Sequence, residues 1–471
     1  QAGFAGNLSF FQGLGGRMSG EAALEQPLAL FGSGPAAGAV GAKTLAERMQ
    51  IPNVLLADMG GTSFDFAPVS GGEVRYFAEE PVIGRWLTEQ PIIEVKSIGA
   101  GGGSIGWLNP AMGDRLEVGP RSAGSNPGPA AYGMGGREPT VTDADFVLGY
   151  LDPEAFLGGR MRLDRSLAER AIRRRIAEPL GLDVIEAAAA IRRTIDATMG
   201  GVIAKDLLLK GLDIRKFSVF ANGGAGPLHC VDFSRSIHPE MVCYTFPYSS
   251  VFCAMSGTTM DLSHIYQRSA HCTLKDLSTG VCLDADGRAA FNKVVDALVR
   301  EAERDVVSEG FAPEQILFTL ELDMRFAGQF HQTRTRSPHL RLGSDADIED
   351  ILKEFEAEHA RRYSKMSYFP EGRVEVETVH LLARVALPKP VPPEIPKGGA
   401  DASGALCGAR EVYWTESSRH ATTRIYEAVR LRAGNVIAGP AIVQAVDTTI
   451  LVPADRTMLV DRYGAGVIEP A

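Results

Sequence analysis

The placement of glycine constrains this chain more than any other feature. Fifty-two of its 471 residues are glycine, well above the usual share of about 7%. They gather at 13–16, 32–41, 60–72, 99–106, 113–136 and 223–226, with short β-branched runs and long alanine-rich stretches between them. Strands that end in glycine turns and feed helices define an α/β pattern.

Periodicity fills in the pattern. SGPAAGAVGAKTLAERM (Ser33–Met49) reads as a helix with Ser33 as N-cap and Pro35 in its first turn, leading into a strand at 53–57. FAPVSGGEVRYFAEE (66–80) alternates and turns at Gly71 and Gly72, as a β-hairpin does. Residues 163–211 predict two helices broken at EPLGLD, and FSVFANGGAGPLH (217–229) predicts strand, glycine turn and helix. Alternation over 316–335 predicts long antiparallel strands, followed by a helix over Asp345–Tyr363 and a strand over 373–387. The proline-rich stretch 388–399 reads as an extended connector, and the last 60 residues as a small β-rich unit. No fixed-period repeat interrupts this order.

Composition excludes several classes of function. Net charge is −10 with the two signs interspersed, so no basic stripe exists for nucleic acid. Six cysteines without a CxxC pair argue against a disulfide scaffold or a zinc ribbon. No run reaches the roughly 18 apolar residues of a membrane span, and the first residues lack the order of a signal peptide. These features point to a soluble, cytoplasmic protein.

The chemistry concentrates in DMGGTSFD (58–65), directly after the apolar run NVLLA. Gly60 and Gly61 let backbone N–H groups approach an anion, and the Thr62 and Ser63 hydroxyls add donors, which together suit a phosphate. Asp58, at the strand end, is the candidate ligand for Mg2+ (or Mn2+), which takes one or two carboxylates beside phosphate oxygens. Asp58 and Asp65 are the candidate catalytic carboxylates. A tight hairpin whose Asp and Thr cap their own turn explains the same spacing without a ligand.

Other motifs are less specific. SIGAGGGSI (97–105) offers Gly101, Gly102, Gly103 and Ser104, either as a ligand loop or as a close approach of backbone to backbone. NGGAGPLH (222–229) puts Gly223, Gly224 and Gly226 between strand and helix, where a nucleotide phosphate can meet a helix N-terminus. Neither a P-loop nor a clean GxGxxG is present. Thr142, Asp143 and Asp145 fit a helix N-cap as well as a metal or substrate contact. His229 reads as packed against its loop, HQTRTRSPH (331–339) as a solvated strand edge, and Cys253 as a structural cysteine before a nucleophile.

Three phrases in order, DMGGTSFD, IGAGGGSIGWLNP with the residues that follow to YLDP, and NGGAGPLH, resemble the hydantoinase A / 5-oxoprolinase family. ELDMRFAGQF and AGPAIVQAVDTTILVP extend the resemblance over essentially the whole chain. It implies a nucleotide-binding half of the actin, Hsp70 and sugar-kinase type (ribonuclease H-like), followed by an α+β C-terminal domain. The phosphate loop is then 58–65, Gly223, Gly224 and Gly226 face the adenosine, and 101–104 line the same cleft. The family's other Asp-Gly-Gly-Thr loop is not matched, so the N-terminal half of the family fold is expected to be missing. The implied domains are a remnant at 1–30, an ATP-binding half at 31–275, an α+β domain at 276–390 and a β-rich domain at 400–471.

The resemblance also implies ATP and Mg2+ as cofactors and a hetero-oligomer with a hydantoinase B-like partner subunit. The phrasing sits nearest the acetone and acetophenone carboxylase branch, in which ATP activates a ketone. An ATP-dependent hydantoinase or 5-oxoprolinase acting on a cyclic amide is the alternative, and a noncatalytic scaffold subunit is a third.

Overall fold

The computed structural model of the chain describes residues 8–77, 82–83, 85–88, 91–276, 280–363 and 372–471. Residues 1–7 of the expected N-terminal remnant and 78–80 of the expected hairpin lie outside the described residues. The contacts group the chain into two units, each built from separated pieces: Gln1–Gln12, Gly16–Leu30 and Met260–Pro388 in one, Gly13–Gly15, Phe31–Thr259 and Lys389–Ala471 in the other.

The larger unit is organised by one mixed sheet of nine strands among the described residues. Asn53–Met59, Ser218–Asn222 and Cys243–Thr245 run parallel at its centre. Phe64–Ser70 folds back antiparallel on Asn53–Met59, and Gly466–Pro470 pairs antiparallel with Cys243–Thr245. The central run VLLA (54–57) follows the rule for a sheet covered on both faces: it is apolar throughout because both faces are buried. Val54 and Leu56 pack with Ala36, Ala39 and Ala42 of helix Ser33–Met49, whereas Leu55, Ala57 and Met59 pack with the helices of the opposite layer. That layer includes Val141–Leu148, Val184–Leu209 and Gly226–Arg235.

The smaller unit pairs Leu262–Asp276, Val374–Val385, Ile316–Phe326 and Thr333–Ser337 in an antiparallel sheet, with Ser9–Phe11 and Arg17–Ser19 at its far edge. Helices Ala285–Ser308 and Asp345–Tyr363 cover one face through Phe291, Val295, Leu298, Ile348, Ile351 and Phe355.

Several expectations change. Strand 53–57 continues to Met59. Helix Ser33–Met49 has its span as expected, but its N-cap is Gly32 at φ 68°, with no side-chain cap, so Ser33 is the first helical residue. The segment 262–276, expected in the ATP-binding half, is the longest strand of the other unit's sheet. Residues 400–471 are not an independent domain: their strands join the main sheet through Gly466–Pro470.

Candidate functional site

DMGGTSFD is the tip of the hairpin between Asn53–Met59 and Phe64–Ser70. Asp58 faces Asp65 and Met59 faces Phe64 across the strands, and the Gly60 N–H donates to the Ser63 carbonyl at 3.0 Å. Asp58 does not cap this turn, contrary to the ligand-free reading of the spacing. Neither Gly60 nor Gly61 has a positive φ. A Cβ on Gly61 would meet nothing within 4 Å, and one on Gly60 only the Ser63 carbonyl oxygen at 3.9 Å. The fold therefore has no need of glycine at either position, and a side chain there would fill the open space in front of the tip.

The second loop packs directly on this tip. Gly102 and Gly103 donate to the carbonyls of Gly60 and Gly61 at 3.0 and 2.6 Å. A Cβ on Gly101 would stand 2.6 Å from the Thr62 nitrogen, and one on Gly103 2.8 Å from the Gly61 oxygen. These glycines are explained by backbone lying on backbone. Ser104 is fully buried and engaged within its own loop: its hydroxyl accepts from Gly101 N–H at 2.8 Å and donates to the Gly99 carbonyl. It is not free to donate to a ligand.

The third loop reaches the hairpin from the neighbouring parallel strand, where Asn222 stands beside Asp58. Ala225 N–H donates to the Met59 carbonyl at 3.0 Å. Gly223 has φ 78°, and its Cβ would lie 2.5 Å from Asp58 Oδ1, so only glycine fits. Gly226 begins the helix, and Gly224 is exposed. Gly224 borders a pocket of about 440 Å3, its open mouth included, with Leu151, Asp152, Phe156, Leu228 and Gln444 among its walls. The loops thus meet at the carboxyl ends of two adjacent parallel strands, where open α/β sheets bind ligands.

Asp58 is half-buried and accepts a hydrogen bond from the Cys253 thiol, Sγ to Oδ2 3.0 Å. Burial pushes its carboxyl above the usual range; the Cys253 bond pulls it back and Asp65 pushes it up again. Burial and the neighbouring Asp58 carboxylate hold the Cys253 thiol far above its ordinary value, which keeps it protonated and a poor nucleophile. Among the described residues no three His, Cys, Asp or Glu side chains gather to hold a metal. One or two carboxylates at the edge of open space suit Mg2+, which keeps several waters and takes phosphate oxygens for the rest; Asp58 and Asp65 are the residues that would hold it.

Beneath the loops lies a buried charge network that sequence reasoning did not assemble. Arg192 is wholly buried and donates to Asp145 at 2.5 Å, Asp232 at 2.8 Å and the Leu228 carbonyl at 2.8 Å. His229 bridges Asp196 at 2.7 Å and Asp145 at 3.1 Å. Burial disfavours the charged ring, yet Asp196 and Asp145 outweigh it and Arg192 together, holding His229 protonated up to about 9. One turn before Asp145, Thr142 donates through both N–H and hydroxyl to the Gly102 carbonyl at 2.7 and 2.8 Å. Asp143 serves the N-cap: Thr140 and Asp143 form a capping box, and Asp143 also accepts from Ala130 and Ala131. The available signal was a set of charges, Asp145, Arg192 and Asp196, on otherwise apolar helical faces.

The fold and these loops define a mixed-sheet α/β protein whose glycine turns converge at the ends of its central strands. The chain belongs to the hydantoinase/oxoprolinase family. The Hydantoinase/oxoprolinase model matches residues 1–281, and the Hydantoinase/oxoprolinase C-terminal domain matches residues 284–465. It is 41% identical over 440 residues to the acetophenone carboxylase gamma subunit of Aromatoleum aromaticum, covering 93% of this chain and 59% of that one. Its structure is similar to acetone carboxylase in a nucleotide-free form, with TM-score 0.83 and 28% identity over 99% of this chain and 64% of that chain. It is also similar to the ATP-dependent caprolactamase from Pseudomonas jessenii, with TM-score 0.82 and 30% identity over 98% and 65%. The chain therefore spans less than two thirds of the length of each of these relatives. Among the described residues no helix is long and apolar enough to cross a membrane.

Proposed function

We propose that this chain is the nucleotide-binding part of an ATP-dependent ketone carboxylase subunit of the acetone/acetophenone type. The observation that carries the reading is Gly60 and Gly61: glycines at a hairpin tip that no backbone strain or protein contact requires, in a chain 41% identical to an acetophenone carboxylase subunit. In this reading the larger unit is a half of the actin, Hsp70 and sugar-kinase type. Gly60, Gly61, Thr62 and Ser63 receive the phosphates, with the 101–104 loop as their support. Asp58, faced by Asp65, holds Mg2+ or Mn2+, and Gly223, Gly224 and Gly226 face the nucleoside, with the pocket beside Gly224 as its seat. That architecture encloses a triphosphate between two loops, of which residues 58–65 form one. Bound Mg-ATP supplies a phosphoryl group that activates the substrate oxygen, and the protein contributes position and charge neutralisation.

A hydantoinase B-like subunit is the proposed partner, completing the reaction in a cytoplasmic hetero-oligomer. A second reading, hydrolysis of a cyclic amide, is favoured by the likeness to caprolactamase. The two separate by ATP turnover of the intact assembly with ketone plus bicarbonate, then with a lactam, hydantoin or 5-oxoproline. Stimulation by the ketone alone is expected; stimulation only by a cyclic amide reverses the order, and no nucleotide binding at all leaves a scaffold subunit. Asp58→Ala is expected to abolish Mg-nucleotide binding, and unchanged affinity in a calorimetric titration would sink the assignment of the phosphate site.

A further inference from the structure

We infer that Cys253 is a positioning residue for Asp58, fixing the carboxylate for a metal-bound phosphate without neutralising it. The inference rests on the reading of Asp58 above. Alternation along Asn53–Met59 puts Val54, Leu56 and Asp58 on one face. The first two bury against helix Ser33–Met49, and Asp58 comes at the end of that apolar row. Among the described residues its hydrogen-bond donor is the Cys253 thiol, at 3.0 Å from Oδ2. Its other oxygen lies against the Gly223 turn, where a Cβ would intrude to 2.5 Å. The carboxylate is held from two sides.

The thiol is aimed there by a glycine seam. The short helix Phe252–Ser256 presses on helix Ser33–Met49 where the latter carries Gly38 and Gly41. A Cβ on Gly38 would come within 2.7 Å of Cys253 Sγ, and one on Gly41 would collide with the Ser256 side chain. Two glycines three apart thus face two residues three apart, Cys253 and Ser256. Each glycine inside a helix costs about 1 kcal/mol against alanine; here they let the short helix approach closely enough for Sγ to reach Oδ2. The chemistry of the donor matters as well. Lys or Arg at this place would pair with Asp58 and compete with a cation, whereas a thiol is neutral and a weak donor. It can fix the rotamer and leave the charge for the metal, as outer partners of metal ligands do.

The test compares Cys253→Ala, Cys253→Ser and Asp58→Asn in the intact protein, each checked for an unchanged melting profile. The readout is the affinity of a fluorescent ATP analogue with Mg2+ and with EDTA, and of Mn2+ by electron paramagnetic resonance in the presence of ATP. Cys253→Ala is expected to weaken metal-dependent binding roughly 10-fold and leave binding in EDTA unchanged. Cys253→Ser, which keeps a donor, should restore most of the loss. Wild-type affinity in Cys253→Ala, a serine variant as weak as alanine, or an equal loss in EDTA would each overturn the positioning role. Wild-type affinity in Asp58→Asn would instead remove the phosphate-site reading itself.

Discussion

At the scale of single residues, glycines with different reasons separate structure from ligand binding. Gly223→Ala forces a Cβ against Asp58 at φ 78° and is expected to destabilise the chain by about 2 kcal/mol or more, read by chemical denaturation. Gly61→Ala meets no protein atom within 4 Å; its stability should stay within about 0.5 kcal/mol of wild type while Mg-nucleotide affinity falls. A Gly61→Ala variant that binds nucleotide normally would show that the space before the tip is unused. DMGGTSFD stands out in the sequence because no ordinary turn needs two carboxylates, two glycines and two hydroxyls, and it forms the hairpin tip on which the other glycine loops pack. The partner of Asp58 was not legible: Cys253 lies 195 residues away in sequence, and only the fold brings its thiol to that carboxylate. Ser104, a candidate donor from its place after three glycines, has its hydroxyl engaged by Gly101 N–H and the Gly99 carbonyl, partners the sequence does not mark.

At the scale of elements, helix Gly226–Arg235 is fastened by its first two turns. Arg192 holds the Leu228 carbonyl and Asp232, while His229 is gripped by Asp145 and Asp196. His229 is protonated in the fold up to about 9 against an ordinary 6.5. The folded value is the raised one, so the stabilisation is complete below about pH 6.5 and is lost as pH rises through about 9. Denaturant midpoints of the wild type should fall between pH 7 and 10, on the order of 2–3 kcal/mol from this group. His229→Gln should be less stable at pH 7 and lose most of that slope; an unchanged slope assigns it to other groups. Arg192→Met, which takes the guanidinium from Asp145 and Asp232 and leaves Asp145 with His229 alone, should cost about 3 kcal/mol. Helices and strands here were largely legible, since period and turn residues are local. The network was not, because Asp145, Arg192 and His229 come from three helices, and charges on apolar faces do not say which helices pack together; Thr142, Asp143 and Asp145 fit an N-cap as well as a metal or substrate contact.

At the scale of the whole molecule, the division of the chain was the least legible feature. A proline-rich connector at 388–399 and the strand alternation that begins at 316 suggest successive domains. Pairing runs otherwise: Gly466–Pro470 closes on Cys243–Thr245, Asp455 receives Arg235 at 2.8 Å, and buried Arg456 donates to the Met241 carbonyl at 3.3 Å. Deleting 389–471 is expected to leave the larger unit without a cooperative melt, in near-ultraviolet dichroism and calorimetry, because Ile442, Val452 and Ile468 belong to its main core. Retention of a sharp transition would restore the picture of an independent C-terminal domain.

The same pairing bears on how the protein is made. Strand Cys243–Thr245 emerges from the ribosome more than 200 residues ahead of its neighbour Gly466–Pro470, and Arg17–Ser19 precedes Leu262–Asp276 by a similar distance. At about 5–20 residues per second, each waits on the order of tens of seconds with an open edge. An unpaired edge is a template for foreign strands, so nascent chains of this protein have a long interval in which chaperone cover decides between folding and aggregation.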